Sequence, residues 1–399
     1  MDLSYGPELE AFRAEVRTFL TQSWPPRGDE AELPRPQREQ RFRERAIERG
    51  YVYRSIPKTY GGSEQPPDVL RAQIIREEFG RARAPAEVQG NGVNMLVPTL
   101  LDQGAEWQRE RFIPKTLTGE YHWAQGYSEP GSGSDLASLR TRGELVGDEW
   151  VIHGQKIWTS QATHCQYMFA LIRTEPDAPK HAGISYLLIP LKQPGIAIRP
   201  LRQMDGQAEF AEVFFDGART PADWIVGKRG DGWKVSRSTL KHERSAIGNT
   251  GRAAEQLESL LRLAKKATLD GEPALQNAHI RERLAALQGL ALAHKYSGFY
   301  QLSCDVAGKD AGVITLMNKL LFTNFGHEVA QLAVELVGNE ALLAPDAKSG
   351  VRSGQAKWLN QFMGSLGIAI AGGTSNIQRN IIAERGLGLP RDATSGGGA

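Results

Sequence analysis

Four short runs carry the residues that could do chemistry. The first, Ser128-Glu129-Pro130-Gly131-Ser132-Gly133-Ser134-Asp135, sets one proline and two glycines among hydroxyls and carboxylates. These residues force a tight loop, and the glycines let backbone N–H groups approach a ligand closely. Ser128 and Ser134 add hydrogen-bonding hydroxyls. Taken alone, the run also reads as a polar turn entering a β region. The second run is Gly154-Gln155-Lys156-Ile157-Trp158-Thr159-Ser160. An aromatic followed by two hydroxyl residues at a strand end suits a flavin, whose ring needs an apolar plane and polar contacts at its edge. The same pattern is also a routine strand and turn. The third run, Leu240-Lys241-His242-Glu243-Arg244-Ser245-Ala246-Ile247-Gly248, puts Leu240, Glu243, Arg244 and Ile247 on one helical face. A carboxylate beside an arginine is ordinarily a surface pair. His242 points roughly 100° away from Glu243 around the helix, which suits a surface or an interface. The fourth run, Gly372-Gly373-Thr374-Ser375-Asn376-Ile377-Gln378-Arg379, follows an apolar stretch and reads by itself as a glycine-rich helix start.

Several other chemistries lack their residues. No third glycine follows Gly131 and Gly133 at dinucleotide-fingerprint spacing, and no strand–turn–helix unit surrounds them. The Gly-x-Ser-x-Gly of a nucleophile elbow is missing. The eight histidines are scattered, with no His-x-x-x-His or Cys-x-x-Cys pair for a metal. A formal charge of +2 spread along 399 residues does not make a nucleic-acid surface. The run from Arg38 to Arg45 interleaves glutamates and reads as a solvated helix face. No apolar stretch is long enough to span a bilayer, and the first residues lack a signal peptide's apolar stretch. Cys165 and Cys304 have no paired spacing, which fits buried thiols in a reducing cytoplasm.

The elements that must position these runs follow from periodicity. Leu9, Phe12, Val16, Phe19 and Leu20 recur at helical steps, and helical runs resume at Arg38–Arg49, Asp68–Arg81 and Met95–Leu101. The texture changes near Tyr121. Val146–Ile152 reads as two strands joined at Gly147-Asp148, and Gly183–Pro190, Gly195–Arg199 and Ala211–Phe215 continue the β pattern. After Gly232 the helical period returns through Leu257–Leu263, Leu284–Leu292 and Leu316–Val337, long enough to pack as a bundle. The expected fold is α+β and multidomain. It has an N-terminal helical domain (1–120), a central β domain (121–232), a C-terminal domain like a four-helix bundle (233–393) and a disordered tail (394–399).

With these runs in this order, the chain resembles the acyl-CoA dehydrogenase family, most continuously from Trp123 to Thr174. The resemblance implies FAD as cofactor. Gln125, Tyr127 and Ser128 from one segment, and Trp158, Thr159 and Ser160 from the other, would line the isoalloxazine. Ser128 and Ser160 stand where relatives often have threonine. Ser134 matches the serine that contacts the CoA arm, and Thr374 and Asn376 match positions that contact flavin. Gly372 stands where many members carry their catalytic glutamate, leaving only its backbone N–H, which with a flavin ribityl hydroxyl holds the thioester carbonyl. The Glu243 register is where isovaleryl-CoA and long-chain acyl-CoA dehydrogenases keep the base, again followed by an arginine. Glu243 is therefore the expected base, with Arg244 and Gly372 at the substrate.

The implied activity is α,β-dehydrogenation of an acyl-CoA, with electrons passed to an electron-transfer flavoprotein. The room left beside Gly372-Gly373 favours a long, branched or steroid-type acyl group. Two departures bear on assembly, expected to be a homo- or heterotetramer. The usual Arg-x-x-Phe-Gly is replaced by Leu275–Arg283 without Phe-Gly, and Gln-x-x-Gly-Gly is degraded to Glu335-Leu336-Val337-Gly338-Asn339. Arg281 or Arg283 could replace the missing arginine, or a distinct partner subunit could complete the flavin site. An oxygen-using flavin oxidase or monooxygenase, and a non-catalytic or nucleic-acid-binding relative of the fold, stand as alternatives.

Overall fold

A computed structural model of the chain describes residues 5–247, 252–342 and 356–390; of Glu243–Ile247 it gives the helical backbone alone. The tail Thr394–Ala399 lies outside the described residues. The chain divides into two compact units. The first runs to Pro200 and resumes over Phe210–Thr239; the second takes Leu201–Glu209 and the chain from Leu240 onward.

Five helices open the first unit: α1 (Gly6–Ser23), α2 (Arg35–Glu48), α3 (Val69–Ala82), α4 (Val97–Gln103) and α5 (Glu106–Thr118). The helical steps of the sequence become core here. Val16, Phe19 and Leu20 are buried, and the Phe19 and Phe79 rings lie 5.6 and 5.9 Å from Phe42. Phe42 carries the basic run of α2 inward, while Arg45 bonds Glu30 and Arg43 donates to the Ala86 carbonyl. Asp68 caps α3 by accepting from the Arg71 N–H.

Eight strands follow: β1 (Trp123–Gly126), β2 (Arg142–Val146), β3 (Glu149–Ser160), β4 (Tyr167–Arg173), β5 (Ile184–Pro190), β6 (Ile196–Leu201), β7 (Phe210–Pro221) and β8 (Ile225–Val226). They form one sheet in the order β6-β7-β3-β2-β4-β5-β8, with β1 parallel to β4. The β2–β3 hairpin turns at Gly147-Asp148 as its sequence indicates, with Gly147 at φ 65° and Val146 opposite Glu149. Alternate residues build the core: Met168, Ala170 and Ile172 from β4, Leu187 and Ile189 from β5, and Ala211, Val213 and Phe215 from β7. β4 has no alternation to read in the sequence, because its five central residues are buried on both faces.

Helix α6 (Gly232–Ile247) begins in the first unit and ends in the second. The second unit continues with α7 (Arg252–Ala264), a short hairpin of β9 (Thr268–Leu269) and β10 (Glu272–Pro273), α8 (Ala278–Val306), α9 (Val313–Val337), α10 (Ala356–Ile370) and α11 (Ser375–Ile381). Four of these helices share one core. Leu257 and Leu260 of α7 pack with Ile280, Leu284 and Leu287 of α8, Phe322, Phe325 and Val329 of α9, and Trp358 of α10. No helix among the described residues is long and apolar enough to cross a membrane.

Candidate active site

The two turn segments expected to line a cofactor meet in the first unit. Ser128 follows β1, and Trp158–Ser160 end β3. The Ser128 carbonyl accepts from the Ile157 N–H at 2.9 Å, so the segments touch backbone to backbone. One residue to either side of that contact, Lys156 Nζ donates to the Tyr127 carbonyl at 3.1 Å and pairs with Glu129 Oε1 at 2.8 Å. Lys156 is fully buried and Glu129 9% exposed. The Glu129 carboxylate also accepts the N–H groups of Arg140 (2.6 Å) and Thr141 (2.9 Å). Burial pushes the Lys156 ammonium down to about 8, with Glu129 resisting. Burial acts to raise the Glu129 carboxyl, but the Lys156 charge and these hydrogen bonds outweigh it and hold the group below its ordinary value.

Sequence reasoning singled out the hydroxyls of these segments and passed over Lys156 and Glu129, which hold them. The signal was present. Lys156 shares the period-2 parity of buried Trp150 and Ile152 along β3, which points it inward.

The register of β3 against β7 shifts between Lys156 and Thr159. At that irregularity Trp158 takes φ 59° and leaves its ring 59% exposed, edge-on to Phe210 at 6.1 Å. Thr159 is fully buried, and its Oγ1 has no hydrogen-bond partner among the described residues. Ser160 is half-buried and lines a cavity of about 180 Å³ with Gly92, Trp123, Gln161 and Cys165. Gln125 is half-buried on β1 opposite Phe169. Tyr127 is buried edge-on to the Phe169 and Tyr186 rings. Ser134 is exposed on the same loop, beside Asp135, which pairs with Lys180 at 2.7 Å.

The C-terminal run lies in the second unit, at the junction of α10 and α11. Gly372 and Gly373 take φ 62° and 98°, and a Cβ on Gly373 would meet Gln378 Nε2 at 2.7 Å. Gln378 donates to the Gly372 carbonyl at 3.1 Å. Buried Lys319 reaches from α9 to the carbonyls of Ala369 (2.9 Å) and Gly373 (2.8 Å). Thr374 caps α11 by accepting from the Ile377 N–H, and Asn376 accepts from Arg379. Glu243 and Arg244 lie on α6, one turn from its end, with their side chains outside the described residues.

The two degraded segments also face each other in this unit. Arg283 of α8 forms an ion pair with Glu335 of α9. Arg281 donates to the carbonyls of Leu275 (3.0 Å) and Gln276 (2.6 Å). Both arginines are thus engaged within their own chain.

A helical domain, a β domain with two pinned turn segments and a helical bundle define a three-domain architecture. Family models of the acyl-CoA dehydrogenase N-terminal, middle and C-terminal domains match residues 6–120, 124–218 and 230–387. The acyl-CoA dehydrogenase IpdE1 of Mycobacterium tuberculosis is 39% identical over 401 residues, covering 97% of this chain and 99% of that protein. A solved structure described as the Tcur3481-Tcur3483 steroid ACAD matches with a TM-score of 0.77 at 28% identity, covering 98% of this chain and 100% of the other. The ChsE4-ChsE5 complex from Mycobacterium tuberculosis matches with a TM-score of 0.76 at 28% identity, with the same coverage. The chain belongs to the acyl-CoA dehydrogenase family of flavoprotein oxidoreductases. The residues present fit a flavin: an exposed aromatic face at Trp158 adjoins a buried hydroxyl at Thr159 that lacks a partner among the described residues.

Proposed function

We propose that this chain catalyses FAD-dependent α,β-dehydrogenation of an acyl-CoA to the trans-2-enoyl-CoA and passes the electrons to an electron-transfer flavoprotein. The observation that carries this reading is the pinning of Ser128 to Ile157 beside Trp158 and the partnerless Thr159 hydroxyl, in a chain of this family. Bound FAD supplies the hydride acceptor. Gln125, Tyr127, Ser128, Trp158, Thr159 and Ser160 hold its ring, and Thr374 and Asn376 add contacts.

A thioester's α-proton is weakly acidic, so the protein must supply a base and stabilise the enolate charge. Glu243 is the base; the role asks for a carboxylate partly stripped of water, its pKa raised toward the working pH. The Gly372 N–H donates to the thioester carbonyl, where charge develops. Ser134 and Arg244 contact the acyl-CoA. A long, branched or steroid-type acyl group is the proposed substrate class; the similarity to a solved steroid ACAD supports it. The reading places the protein in cytoplasmic fatty-acid β-oxidation as a dimer of dimers, with domains at 1–120, 121–232 and 233–393.

A second reading, one subunit of a heteromeric dehydrogenase, is favoured by Arg281 and Arg283 being engaged within the chain. The visible spectrum of the chain purified alone, before and after anaerobic addition of a long or branched acyl-CoA, tests both. A yellow protein that bleaches supports a self-sufficient dehydrogenase. A colourless protein overturns that in favour of the heteromer. Rapid reoxidation by air would favour an oxidase.

A further inference from the structure

A chain of buried hydroxyls ends on the helix that carries Glu243. Thr99 of α4, Tyr186 of β5 and Thr239 of α6 are all fully buried, and all belong to the first unit. Thr99 Oγ1 donates to the Met95 carbonyl at 2.7 Å and lies 2.9 Å from Thr239 Oγ1. Thr239 Oγ1 lies 3.5 Å from the Tyr186 hydroxyl.

Each hydroxyl has one proton to share among the acceptors around it. Thr99 commits its proton to Met95, so in the 2.9 Å contact it accepts from Thr239. Thr239 Oγ1 is also placed to donate to the Tyr186 hydroxyl and to the Val235 carbonyl, each at a longer 3.5 Å. The Tyr186 ring in turn lies edge-on to the Tyr127 ring at 6.3 Å, next to Ser128. One hydroxyl thus joins α6 to α4 and to β5. Ser238, the preceding residue, adds a 2.8 Å bond to Asp102. Position 243 follows Thr239 by four residues on the same helix, one turn along the same face.

We propose that Thr239 is a positioning residue for the dehydrogenation, its paired hydroxyl fixing the register of α6 and so the place of the base at 243. This rests on Glu243 being the base. A misplacement of about 1 Å can cost up to about 100-fold in rate.

The test compares Thr239→Val, Thr239→Ser, Thr99→Val and Glu243→Gln, in kcat, KM and thermal midpoint, with amide hydrogen exchange of α6. Thr239→Val and Thr99→Val should each lower kcat on the order of 10-fold, leave KM within about twofold and speed α6 exchange; Thr239→Ser should restore kcat and α6 exchange. Unchanged kcat and α6 exchange in both valine variants, or no rescue by serine, would overturn the proposal. If Glu243→Gln keeps full turnover, the assignment of the base itself fails. If Glu243→Gln is inactive while both valine variants behave as wild type, only the positioning role fails.

Discussion

Lys156 Nζ lies 2.8 Å from Glu129 Oε1, and both side chains are nearly sealed from solvent. The pair bolts the end of β3 to the loop after β1, and it does so at a price that makes its loss asymmetric. Lys156→Met leaves a buried carboxylate with only two backbone donors. A destabilisation of about 3–5 kcal/mol is expected, read as a fall in the urea midpoint at constant slope. The double variant Lys156→Met/Glu129→Leu should lose less than the sum of the single changes. Additive losses would show that the two side chains act independently.

The same pair sets an acid limit. The folded pKa of Glu129 is depressed below the unfolded value of about 4.3. Its contribution is therefore complete above about pH 4.3 and is lost as pH falls through the lower folded value. Thermal midpoints of wild type and Glu129→Gln should converge on acidification below pH 4.3. A constant gap down to pH 2 would assign the difference to shape instead of charge.

Thr159→Val should separate stability from cofactor retention. The buried Oγ1 has no partner among the described residues, so replacing it by a methyl removes an uncompensated polar group. The flavin-free protein should unfold at the same or a higher temperature, while flavin dissociation, followed by fluorescence, should quicken several-fold. A large fall in the flavin-free midpoint would show that the hydroxyl is bonded in solution.

Glu243→Gln tests the proposed base. The variant should keep its flavin spectrum and lose on the order of 100- to 10,000-fold in flavin reduction by acyl-CoA, the usual contribution of a positioned general base. Reduction at the wild-type rate would reassign the base.

Much of this arrangement was legible in residue order. The three-part succession and the Gly147-Asp148 hairpin follow from period and turn chemistry. What stayed hidden depended on burial. Tyr167–Arg173 shows no alternation because both faces are covered, and the β9–β10 hairpin is too short for a periodic signal. Lys319 is hydrophilic by type, and only the assembled fold shows that it ends on oxygens inside the protein. Thr99, Tyr186 and Thr239 come from three separate elements, so no local pattern could link them.

Trp158 keeps a bulky side chain at φ 59° with its ring open to solvent, a combination that costs about 1–3 kcal/mol in the bare protein. Durability and grip therefore select in opposite directions at this one position. A heat-resistance screen run without cofactor should favour glycine or asparagine there, and the survivors would be tougher proteins that let their ligand go.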